Sequence, residues 1–233
     1  MQRLRVRLLT PALVILGLAC PAENVVAATR CPPGGGGGER LGQLDGELRL
    51  HWIDRHLTET ARRARLWTWS WGTGIVVATI GNLAPLPFVA KENRIDWYVG
   101  AGTTIVGIVP LLIAPLDVVK DARTLHAQLG AAGVAARQAD DVCRLLADAE
   151  TRLVRDAQNQ LDGQRWWLHV GNVVLNSGVG LFLVLGYHHY GAGAFNAVVG
   201  SAIGEAIILT QPTRTIDDLD LYRRGLVAEP AVD

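Results

Sequence analysis

Residues 166–204 read WWLHVGNVVLNSGVGLFLVLGYHHYGAGAFNAVVGSAIG, a run without a single Lys, Arg, Asp or Glu. A bilayer core about 30 Å thick takes roughly 20 apolar residues per helical crossing. The run is long enough for two crossings, and it breaks at Tyr187-His188-His189-Tyr190-Gly191. Glu205 is the only further charge of these four types before Arg214.

Working outward, residues 66–90 and 97–116 are also free of such charges. Each fits one crossing, and Lys91-Glu92-Asn93-Arg94 supplies a polar turn between them. Six of the seven tryptophans stand near an expected span end, as interfacial rings do. The fold expected is an all-α membrane protein of two tandem helical hairpins. Its four transmembrane helices cover about 66–86, 97–115, 166–187 and 191–211. An amphipathic helix precedes each hairpin. Leu41, Leu44, Leu48, Trp52, Ile53 and Leu57 mark the first, which reaches to Arg65. Val142, Leu145, Leu146, Ala149, Leu153, Ala157 and Leu161 mark the second, over about 138–164. A soluble all-α protein with a very apolar core is the competing reading. It is disfavoured because soluble helices usually carry a polar stripe.

Hydrophobic types make up 49% of the 233 residues and the formal net charge is zero. No basic face is indicated, which excludes the usual footprint of a nucleic-acid binder. The partner implied by composition is the lipid bilayer itself.

Met1–Arg7 holds three arginines, Leu8–Ala19 is a short apolar run, and small residues follow at Ala22, Ala27 and Ala28. This is the layout of a secretory signal over 1–28. Gly17-Leu18-Ala19-Cys20 also permits a lipoprotein reading, with Cys20 lipidated, and an uncleaved anchor is a third alternative. Cys31 and Cys143 lie in polar segments separated by an even number of spans, hence on one side. An exported, oxidising side would let them pair as a disulfide. Residues 29–40, with Gly34–Gly38, read as a flexible tether.

The halves resemble copies, expected over 41–121 and 122–224, followed by a tail at 225–233. Gly107, Pro115 and Asp121 have the spacing of Gly204, Pro212 and Asp218. Arg55, Arg65 and Trp67 recur 100 positions on as Arg155, Arg165 and Trp167. An even number of spans per copy makes this a parallel repeat. Thr215-Ile216-Asp217-Asp218 resembles a helix start.

Spans in lipid associate by close backbone approach at small residues. Gly74 and Gly81 on the first span, Gly107 on the second, and Gly193, Gly200 and Gly204 on the fourth are the expected packing positions. Self-association through an exposed glycine face, or docking of an envelope protein, are the macromolecular contacts this allows.

An ionisable group inside a span is costly and points to function by default. Glu205 is one. His169, Asn172 and Asn176 recur at steps of three and four on the third span and could face it. They make either a polar path for a proton or cation, or hydrogen-bonded glue. No Gly-x-Ser-x-Gly, His-Glu-x-x-His, phosphate loop or Cys-x-x-Cys is present, so no catalytic residue, metal site or cofactor is expected. The expected role is a non-enzymatic, multi-pass envelope membrane protein with a structural or interaction function. The alternative is a small transporter or channel-like protein. Orientation is contested. A signal places 30–65, 117–165 and 211–233 on the exported side, yet these hold 7, 7 and 3 Lys/Arg against Lys91 and Arg94 in the remaining turns. The positive-inside rule favours the reverse.

Overall fold

The structure, a computed structural model, describes residues 28–34, 39–113, 116–131 and 138–227. The expected export signal and Cys20 lie outside the described residues, apart from Ala28. In chain order the helices are α1 (Glu39–Gln43), α2 (Gly46–Leu83), α3 (Arg94–Ile113), α4 (Asp117–Ala131), α5 (Ala139–Asp162), α6 (Trp166–Tyr187), α7 (Tyr190–Leu209) and α8 (Arg214–Arg223). A single 3₁₀ turn, Lys91–Asn93, precedes α3. Among the described residues no strand forms; Arg30 and Asp45 make one isolated bridge.

The first helix differs from expectation. The amphipathic segment and the first span are one helix, α2, of 38 residues. At 1.5 Å per residue it is roughly 57 Å long. The reason is local. No Gly or Pro occurs between Gly46 and Gly72, so the change from charged to apolar at Arg65 changes the surroundings and not the backbone. Asp45 caps its start, accepting from the amides of Glu47 at 2.7 Å and Leu48 at 3.4 Å. In the second half the helix does break: α5 ends at Asp162, Gly163 caps it, and Arg165 is extended before α6.

The proximal half of α2 joins α4, α5 and α8 in a helical head. Leu50, Ile53, Leu57, Ala61 and Ala64 step by three and four along α2, and all are buried. Val118, Ala122, Leu125 and Leu129 of α4, and Val142, Leu146, Ala149 and Leu153 of α5, complete the same core. The segment expected as a loose tether is partly docked here. Gly46 N donates to Thr29 O at 2.7 Å, Gly34 N donates to Glu150 Oε2 at 2.6 Å, and Cys31 is buried. Residues 35–38 of that tether lie outside the described residues. The first residues of the expected tail are docked too, since Val227 is buried in the same core. Thr215 does not start α8 as a cap. Its amide and hydroxyl are taken by Gln160 at 3.1 and 2.8 Å, and the helix begins at Arg214.

Beyond the head stand two hairpins, distal α2 with α3, and α6 with α7. Two helical stretches, α6 and the one that begins with α7, are long and apolar enough to cross a membrane, and almost none of either is buried. The distal half of α2 is less apolar because Trp67, Trp69, Ser70, Trp71 and glycines dilute it, and α3 opens on Arg94 and Asp96. Both nonetheless expose large apolar side chains, including Val77, Ile80, Ile105 and Val106. The α6–α7 turn is tight: His188 takes the left-handed conformation, φ 58°, and closes α6 onto Val184 O.

Candidate functional site

The α6–α7 hairpin brings His169, Asn172, Asn176 and Glu205 together. His169 Nδ1 lies 2.5 Å from Glu205 Oε2. Asn172 Nδ2 donates to Glu205 Oε1 and to Ser201 O, each at 2.9 Å. Asn176 Nδ2 donates to the backbone and side-chain oxygens of Asn172, both at 2.9 Å. The four polar groups thus bond mainly to one another and to backbone across one helix pair. Such bonds hold two helices in register in an apolar medium.

Glycine makes the room. A Cβ on Gly204 would stand 1.9 Å from Asn172 Oδ1, and one on Gly200 2.1 Å from Asn176 Oδ1. Gly193 meets Gly180 backbone to backbone, where a Cβ on either would sit about 2.5 Å from the other's carbonyl oxygen. Gly180 belongs to the packing positions although spacing alone does not single it out. Gly74, Gly81 and Gly107 do not belong to them: an added Cβ at any of the three meets nothing within 4 Å, because their faces point away from the partner helix. In the first hairpin the tight contact is instead Gly100 against Asn82 Oδ1, 2.4 Å from an added Cβ. Thr79 Oγ1 and Thr104 Oγ1 bond at 2.7 Å beside it.

Between the hairpins runs a cleft of about 970 Å³. Ile75, Val99 and Val106 line one wall, and Leu175, Val179 and Ile203 the other, with Asn172 and Asn176 on its surface. It is tied at both ends. Near the head, Trp67 and Trp71 Nε1 donate to Thr210 Oγ1 at 3.2 and 3.0 Å. At the far tips, His189 Nδ1 stands 2.6 Å from Asp96 Oδ1. Among the described residues no group of three or more His, Cys, Asp or Glu could hold a metal ion.

The head carries polar chemistry that no local motif announces. Arg49, fully buried, donates through Nε to Tyr222 Oη at 3.0 Å and through Nη1 to Cys31 O at 3.0 Å, and its Nη2 meets Glu150 Oε1. Tyr222 Oη donates to the same Glu150 oxygen. Burial, and then the Glu150 carboxylate, push the Tyr222 hydroxyl above its ordinary value. Cys31 and Cys143 are joined as a disulfide beside this network, 112 residues apart in sequence. Asp156, on α5, is buried with both carboxyl oxygens unpartnered among the described residues. Desolvation first, then the charge of Asp121, push its pKa up to about 8. Asp121 accepts from Arg152 at 3.2 Å and from Arg155. No local motif marks Arg49 and Glu150, and the fold alone removes them from water. The chain matches no protein-family model, no curated protein and no solved structure.

Proposed function

We propose that this chain is a non-enzymatic, four-span envelope membrane protein whose helical head is a rigid docking platform on the exported side. One observation carries the reading: apolar exposure and apolar burial are segregated. Apart from Ile75 and Leu183, the large buried aliphatic side chains cluster in the head, whereas Leu66, Val77, Phe88, Val174, Leu185 and Val198 stand exposed on the two hairpins. A contiguous apolar surface of that extent marks a membrane contact when both hairpins share it. The disulfide supports an oxidising side for the head. The polar stripe fits a structural role, because its members satisfy one another.

Two measurements test this. After alkaline washing the protein should float with the membranes. A membrane-impermeant thiol reagent should label Cys143 on intact cells only after reduction. Recovery in the aqueous phase, or labelling only after lysis, would sink the reading. Transport is the second reading, favoured by the cleft with Asn172 and Asn176 on its wall. It requires a pH-dependent flux in liposomes that Glu205→Gln abolishes.

A further inference from the structure

We infer that the cleft between the hairpins is a binding site for a phospholipid with a primary ammonium headgroup. The inference rests on the membrane reading above and adds an occupant. The cleft volume, about 970 Å³, is at the upper end of the roughly 300–1,000 Å³ of small-molecule sites. Its walls are branched aliphatic side chains interrupted by Gly102, Gly107 and Gly171, where nothing stands within 4 Å of an added Cβ. The flanking Val106 and Leu175 are half-exposed and apolar, so the cleft is continuous with the outer face of the hairpins. Between its ties at Thr210 and at His189–Asp96, the groove suits an extended hydrocarbon chain.

The rim on the head side gives the headgroup chemistry. Asp117 and Asp162 line it together with the amides of Asn159 and Gln211 and the indoles of Trp67 and Trp167, and among the described residues no Lys or Arg lines the cleft. Asp117 uses Oδ2 to accept from Asn159 at 2.7 Å. Asp162 uses Oδ1 for Arg165 and Gln158. The second oxygen of each carboxylate has no partner among the described residues. A primary ammonium has three N–H donors for such oxygens. A quaternary amine has none, and an anionic headgroup is repelled by the two acids.

The test uses the full chain in nanodiscs holding ethanolamine, choline and glycerol phospholipids in equal parts. Lipid retained after release from the disc is counted by native mass spectrometry. The native protein should retain the ethanolamine lipid about fivefold over the other two, a factor suited to partly exposed charge pairs. Asp117→Asn with Asp162→Asn should bring the ratio to about one. Gly107→Leu with Gly171→Leu should lose the retained lipid while flotation and helical content stay native. Equal retention of all three lipids by the native protein, or native retention by the leucine variant, overturns the proposal. Failure of the native protein to float overturns the membrane reading instead.

Discussion

Replacing Asp156 by Asn removes one titration from the interior of the head, and its effect can be worked out. Asp156 is buried and neither of its oxygens meets a donor among the described residues. Its pKa rises from 3.8 to about 8, so the folded chain keeps a proton that the unfolded chain gives up. A raised carboxyl pKa stabilises fully below the unfolded value. That contribution drains away as pH climbs from about 4 through about 8. Each pKa unit is worth about 1.4 kcal/mol, so the 2.5 units between pH 5.5 and pH 8 amount to roughly 3 kcal/mol. An asparagine is neutral throughout, keeps the shape, and offers an N–H to Asp121. The native protein should therefore lose about 3 kcal/mol more than Asp156→Asn when pH is raised from 5.5 to 8.5, which is about 10 °C in Tm for a chain of this size. Thermal unfolding in detergent micelles, followed by tryptophan fluorescence at both pH values, measures the difference. Other contributions occur in both proteins and cancel. Equal Tm losses in the two proteins would refute the account of Asp156 as a buried, protonated acid.

Three further outcomes are expected. Gly204→Leu should drive a side chain into Asn172, cost about 1–3 kcal/mol or more and loosen α6 from α7, read as lost helix-pair cross-linking, whereas Gly74→Leu should leave it native. Glu150→Gln should leave Arg49 buried without its counter-charge and cost about 3–5 kcal/mol in denaturant unfolding of the detergent-solubilised chain. Cys143→Ser opens a crosslink between residues 112 apart and should lower stability by about 2–5 kcal/mol, with the native protein falling to the same value in reductant.

Much of the helix layout is legible in the sequence because charge-free runs and three–four periodicity are local properties. Val142, Leu146, Ala149 and Leu153 fall on one face of α5 by spacing alone. The i, i+3, i+7 placement of His169, Asn172 and Asn176 likewise puts them on one face of α6, the face that meets Glu205. What the sequence hides depends on distant partners. Arg49 and Glu150 are 101 residues apart, and Asp156 differs from its exposed neighbour Arg155 only through what packs over it. The glycines show the same limit. Gly193 and Gly74 look alike in sequence, yet one faces another helix and the other faces open space. The extent of α2 is misjudged when a change of polarity is taken for a change of backbone.

The unbroken α2 also makes the two hairpins mechanically unequal. A rigid rod roughly 57 Å long is a lever: a small tilt imposed on its proximal end sweeps its far tip through a larger arc. The second hairpin has a joint at Gly163–Arg165 in the corresponding place, so it can absorb a rotation that the first must transmit. Torque applied to the head would reach the second arm at both its ties to the first, Trp67 and Trp71 on Thr210 and His189 on Asp96.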